Sequence, residues 1–174
     1  MEKPLALEST DAELILASIE DRETLKNLMQ FYDYDFSAFI SIDVEDNGLY
    51  SPYAYLDDYW IDAAHRFPYL IKRAGRYAGF ALVRRIETED RHYFSIAEFF
   101  IMKKYRKNAI GRQVAVRLFD LHEGDWEVFQ LESNKPARIF WTKVIGDYSG
   151  GAFTERFEEG KSIQDFVSRR LADG

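Results

Sequence analysis

Residues 96–112, IAEFFIMKKYRKNAIGR, constrain the fold more than any other stretch of the chain. The first seven are apolar except for Glu98 and read as a strand. Ile110, Val114, Leu118 and Leu121 then recur at helical spacing, on a helix ending near Gly124. Between them lies an elbow that holds Lys103, Lys104, Arg106, Lys107 and Arg112 and no acid. A strand that breaks straight into a helix belongs to an α/β layer structure.

The first N–H groups of a helix have no partner within it. They point one way, with the positive end of the helix dipole behind them, and form an anion site suited to phosphate. Ala109 and Gly111 are small enough for phosphates to approach the backbone, and the surrounding Lys and Arg add long-range attraction. Asn108 or Ala109 would begin the helix. The Gly-Lys-Ser/Thr ending of a P-loop is absent, and so are the glycines of a dinucleotide-binding turn. The other reading of the elbow is a solvated basic turn.

The rest of the chain supplies an order. Residues 14–19 read as a first strand. Asp21 can cap a helix over 24–32, with Leu25, Leu28, Met29 and Tyr32 on one face. Residues 33–56 are acidic and aromatic, with turn signals at Asp46-Asn47-Gly48 and Ser51-Pro52. Residues 56–67 read as a second helix, ended before Pro68. Segments 69–73 and 77–86 flank Ala74-Gly75-Arg76 as an antiparallel hairpin, and 92–102 is another strand. Residues 126–132 alternate as a strand, 136–144 are helical with Pro136 in the first turn, and 153–157 and 162–169 close the chain as strands. The order is β-α-α-β-β-β-α-β-α-β-β, with no repeat or linker, which implies one domain over residues 1–174.

Composition bounds the chemistry. With 47% hydrophobic and 16% aromatic residues the chain can build a core. The absence of cysteine excludes disulfides, thiolate metal sites and a cysteine nucleophile, and fits a reducing compartment. No basic-led signal segment and no apolar run near 20 residues is present, so a soluble, cytoplasmic protein with no membrane partner is expected. His65, His92 and His122 lack metal-ligand spacing. Residues 1–60 carry 14 acids and three bases, whereas 61–174 carry 16 acids and 20 bases. A pI near 5.1 and the acidic first third argue against nucleic acid as a partner.

At the elbow the sequence resembles the GCN5-related N-acetyltransferases, the GNAT family. Their strand-to-helix signature is Val-x-Pro-x-Tyr-Arg-Gly-x-Gly-Ile-Gly. Residues 101–111 match it at Tyr105, Arg106, Ile110 and Gly111, with Ala109 standing in for the middle glycine. Lys103 replaces the proline and Lys107 the first glycine. A second family block, Asn-x-x-Ala-x-x-x-Tyr-x-Lys-x-Gly-Phe, is met by Asn134, Ala137, Trp141 and Lys143, with Gly146 one residue late. The resemblance covers nearly the whole chain and implies a mixed, mainly antiparallel central sheet flanked by helices. It also implies an acetyl-CoA-dependent N-acetyltransferase. Backbone amides of Lys107, Asn108, Ala109, Ile110, Gly111 and Arg112 would hold the pyrophosphate, with Arg106 also among the cofactor-binding residues. Ile101 and Met102 would pair with the pantetheine arm and offer an N–H to the thioester oxygen, and Asn134 would meet the arm from the other side. Homodimers are frequent in the family, and a dimer is implied by analogy alone.

Amide formation from a thioester needs a base for the protonated amine and a donor for the developing oxyanion. Glu98, the one acid in an apolar strand, is the candidate base, since desolvation raises a carboxyl pKa. Its other reading is a surface Glu or half of an ion pair. The family's usual acid is a tyrosine where this chain has Trp141, and an indole cannot serve in its place. Tyr148 is then the candidate acid, against packing on the sheet. Acids and aromatics over 31–60 suit a cationic acceptor, a small amine or a peptide amine. The rival reading is a non-catalytic acyl-CoA sensor or assembly module of the same fold.

Overall fold

The computed structural model describes residues 11–169. Among these residues, seven strands form one sheet in the order β1-β2-β3-β4-β5-β7-β6. The elements in chain order are β1 (Ala12–Leu16), α1 (Arg22–Phe36), α2 (Asp58–Ile61), β2 (Arg66–Arg73), β3 (Arg76–Glu87), β4 (His92–Ile101), α3 (Ile110–Leu121), β5 (Gly124–Leu131), α4 (Lys135–Ser149), β6 (Phe153–Glu158) and β7 (Lys161–Ser168). Every neighbouring pair is antiparallel except β4 and β5, which run parallel and pair at Phe94 and Trp126.

Strand alternation sorts the core onto two faces. From β3, Ala81 and Val83 pack with Ile110, Val114, Leu118 and Phe119 of α3 and Val144 and Ile145 of α4. Phe80 and Leu82 point the other way, onto Leu25, Leu28 and Met29 of α1 and Tyr59 of α2. The β2–β3 turn at Ala74-Gly75 has positive φ at both residues (48° and 70°), the geometry of a tight hairpin whose twist matches its strands. Gly79 in β3 is required by contact: a Cβ there would fall 1.9 Å from the Phe100 carbonyl oxygen.

The structure departs from sequence expectation mainly between residues 14 and 68. β1 stops at Leu16, because Ser18 N–H turns to the Asp21 carboxylate (2.9 Å) and opens a short 3-10 turn. α1 continues one turn beyond Tyr32, with the Tyr32 and Phe36 rings stacked at 5.5 Å. The expected helix over 56–67 shrinks to the four residues of α2, and Phe67 and Pro68 lie inside β2. Phe67 is drawn into the strand because its ring packs on Phe94 and His122, on the sheet face opposite α2. Pro68 costs the sheet little. Arg85 N–H bonds His65 O, a phase that turns the Pro68 nitrogen away from β3 toward β1, whose pairing ends at Tyr69. α4 runs five residues past its expected end, to Ser149, and places Tyr148 within the helix.

Candidate active site

A cavity of about 650 Å³ opens where β4 and β5 diverge beyond their single pair. Its walls come from the end of α1 (Tyr32, Phe36), the end of β4 (Phe99, Ile101), the elbow and the first turns of α4. Pairing phase decides which backbone groups face it. Met102 N–H bonds Ala78 O at 2.8 Å, with Ile101 opposite Gly79 and Phe100 opposite Phe80. That phase turns the main-chain groups of Phe99 and Ile101 away from β3, toward the gap. Of the two residues expected to pair with an extended ligand, Ile101 therefore keeps its N–H for the cleft. The Met102 N–H is already bonded, and its side chain packs on the α1 face.

The elbow has the conformation that the missing glycines would have adopted. Lys107 and Ala109 both sit at positive φ, 68° and 61°. A left-handed non-glycine residue costs roughly 1–2 kcal/mol, so the turn is imposed on these side chains by its surroundings. Gln113 N–H bonds Ala109 O at 3.0 Å, which leaves the N–H groups of Ile110, Gly111 and Arg112 at the open start of α3. Lys107, Ala109, Gly111 and Arg112 line the cavity; Asn108 and Ile110 do not, Ile110 being buried in the core. A Cβ on Gly111 would press on the Phe140 ring at 3.2 Å.

Three of the basic side chains are engaged by other protein groups. Arg106 Nε donates to Ile101 O (2.7 Å), and its Nη2 meets Asp35 of α1 at 2.6 Å, joined by Lys103 at 3.7 Å. Arg112 pairs with Asp147 at 2.6 Å. These side chains brace the turn, and the N–H groups at the start of α3 are left without a partner in the helix. Asn134 lines the cavity while its side-chain oxygen caps α4 by accepting from Ala137 N–H at 3.2 Å.

Glu98 owes its position to a β-bulge. Leu82 lies opposite Glu98 and Val83 opposite Ile96, so Ala97 is an extra residue in β4. Phe94 and Ile96 pack on the α3–α4 face, and an unbroken alternation would send Glu98 there too. The bulge inverts the phase, and Glu98 meets α1, where Tyr32 O–H donates to Oε2 at 2.5 Å. Burial pushes the Glu98 carboxyl up to about 7. The Tyr32 hydrogen bond opposes that rise, nearby Asp33 adds to it, and Tyr53 also opposes it. A carboxyl titrating near neutrality can accept a proton from an ammonium and release it again.

The two aromatic positions of interest in α4 part company. Trp141 is buried between Phe99 and Phe140, at ring distances of 4.9 and 5.0 Å, and fills space without a hydroxyl. Tyr148 is not brought to the cavity. Its hydroxyl donates to Asp120 at 2.8 Å, and its ring packs on Phe119 and Phe166 beside a separate cavity between α3, α4 and β7. Tyr32 and Asp35 are the site residues that sequence reasoning missed. Tyr32 is visible as the last member of the α1 stripe, but its link to Glu98 spans 66 residues and leaves no local signal.

The sequence model of the acetyltransferase (GNAT) family matches residues 28–146, and the chain belongs to that family. No curated protein sequence matches it significantly. Among solved structures it is similar to an acetyltransferase from Thermus thermophilus, with 12% identity, TM-score 0.66, 92% of this chain and 99% of that one covered. It is also similar to spermidine N-acetyltransferase from Vibrio cholerae, solved with CoA and spermine (12% identity, TM-score 0.63, coverage 92% and 97%). A third, the PaiA N-acetyltransferase from Thermoplasma acidophilum, was solved with coenzyme A (12%, 0.63, coverage 90% and 99%). Likeness at these identities establishes the fold.

Proposed function

We propose that this acetyltransferase moves the acetyl group of acetyl-CoA to a primary amine by direct attack, with Glu98 as the base. One observation carries the reading: the carboxyl pushed up to about 7 sits on the strand that forms the cleft wall. The cleft suits acetyl-CoA. The Ile101 N–H faces the gap, and the α3 start offers backbone donors in a left-handed turn that lets an anion approach. Acetyl-CoA supplies the activated acetyl thioester. The chain's own groups align it, donate to its carbonyl oxygen and, through Glu98, take the proton that the amine must lose, while the C–S bond breaks and coenzyme A departs as its thiolate. The amine class is supported by the spermine in the Vibrio enzyme.

Calorimetry and steady-state kinetics on Glu98→Gln test this. Acetyl-CoA affinity should be retained while turnover of the best acceptor in an amine panel falls by about 10²–10⁴. Full turnover in Glu98→Gln, or no acetyl-CoA binding at millimolar concentration, would overturn it. Trp141 favours a second reading, an acyl-CoA-binding module without turnover. Tight binding with no amine consumed by the wild-type chain would establish that one.

A further inference from the structure

Trp141 has no hydroxyl and Tyr148 gives its own to Asp120, whereas Tyr32 lines the cavity and gives its hydroxyl to Glu98. Its ring is held on three sides. It stacks on Phe36 at 5.5 Å, meets Phe80 edge-on at 5.7 Å and lies 5.9 Å from Phe100. Phe36 shares α1 with it, and Phe80 and Phe100 are neighbours across β3 and β4, so helix and sheet fix the ring together. A tyrosine seated this firmly has little freedom to aim its hydroxyl elsewhere. The O–H has one proton to donate, and it goes to Glu98 Oε2.

We propose that Tyr32 is the positioning residue of this acetyltransferase, holding one oxygen of Glu98 so that the other is presented to the acceptor amine. The assignment rests on Glu98 acting as the base. Three features support it. The bulge at Ala97 turns Glu98 toward α1, so the register of β4 and the length of α1 converge on this one contact. Tyr32 lines the cavity, and Glu98, which is not part of the lining, stands behind it on the hydroxyl. A carboxylate fixed through one oxygen has a defined second lone-pair direction, which a freely rotating Glu lacks. Tyr53 of the 37–57 segment also hydrogen-bonds the Glu98 carboxyl, and the other polar and charged groups near the pair are Asp33 of α1, Tyr59 of α2, Arg66 of β2 and Arg84 of β3.

The sign of the coupling is fixed. A hydrogen bond donated to the ionised carboxylate favours ionisation, so its loss must raise the Glu98 pKa. Tyr32→Phe keeps the ring and its packing and deletes only the hydroxyl. Carbon-13 NMR titration of glutamate-labelled protein, without acetyl-CoA or acceptor, should show the Glu98 carboxyl titrating about half a pH unit or more higher in Tyr32→Phe. Replacing residue 32 by 3-fluorotyrosine, whose hydroxyl is the more acidic donor, should shift it the other way. In acetyl transfer to an amine panel that includes spermine, Tyr32→Phe should lose between about tenfold and a hundredfold in kcat, with the KM for acetyl-CoA unchanged. The acidic limb of its pH–rate profile should move up in step with the NMR titration. The double variant Tyr32→Phe/Glu98→Gln should be no slower than Glu98→Gln alone.

Superimposable Glu98 titrations in wild type and Tyr32→Phe would overturn the proposal. So would independent, multiplying losses in the double variant. Failure of the base assignment itself reads differently: Glu98→Gln would then keep its turnover whatever Tyr32→Phe does.

Discussion

Single residues set two opposed pH responses. Glu98 titrates near 7 in the fold against an ordinary 4.5, so between those values the folded chain binds more protons than the unfolded one. Stability from this group is present below pH 4.5 and declines as pH rises to 7, by at most about 1.4 kcal/mol per pH unit. His122 runs the other way. Its ring shares a hydrogen bond with Tyr69 at 2.8 Å among Phe67, Phe94 and Trp126, and burial pushes it from 6.5 down to about 4. Its contribution is present above pH 6.5 and is lost as pH falls to 4. Urea unfolding at a series of pH values should therefore show Glu98→Gln more stable than wild type at about pH 8 and the two converging near pH 4.5. The same scale holds the elbow strain. Ala109→Gly should raise stability by about 1 kcal/mol, a Tm gain of roughly 2–4 °C. Lys107→Gly should do likewise but weaken acetyl-CoA binding at low salt through its lost charge.

At the level of elements, contacts between distant segments decide the site. Arg106 and Lys103 of the elbow reach Asp35 at the end of α1, joining the turn before α3 to the helix that carries Tyr32. Asp35→Asn should lower Tm only slightly, since partly exposed ion pairs contribute about 1 kcal/mol or less. It should tighten acetyl-CoA binding at low ionic strength, because an acid beside the anion site is removed; calorimetry at two salt concentrations checks both. Two glycines separate fold from site. Gly79→Ala drives a methyl into the Phe100 backbone and should cost about 3 kcal/mol or more. Gly111→Val presses on the edge of the Phe140 ring and should spare the fold while weakening acetyl-CoA binding. Sequence reasoning located most of these elements because their signals are local: the Ala74-Gly75 hairpin, the α3 stripe and the Pro136 start of α4 each lie within a few residues. It overextended α2, because the pull of Phe67 toward Phe94 and His122 comes from other elements. It also had no access to the bulge at Ala97, which exists only relative to β3.

Across the whole molecule, the order of the strands and helices was legible and so was the family. Composition and charge said less: the acidic first third resolves into particular pairings, Asp57 with Arg22 and Asp35 with Arg106, as much as into a surface for a cationic acceptor. The Tyr148 expectation illustrates the limit. Nearness along the chain to the second family block gave no information about which side of α4 its hydroxyl would occupy, and helix phase sent it to Asp120.

The parting of β4 from β5 divides the sheet into a four-stranded block and a three-stranded block, stitched by backbone at one position. Such a seam behaves as a boundary between cooperative units in native-state amide exchange. In the free protein the N–H groups of Phe99 and Ile101 should exchange orders of magnitude faster than those of Phe80 and Leu82 one strand away. Saturating acetyl-CoA should slow them toward the values of the core if, as proposed, the ligand takes the position of a missing strand.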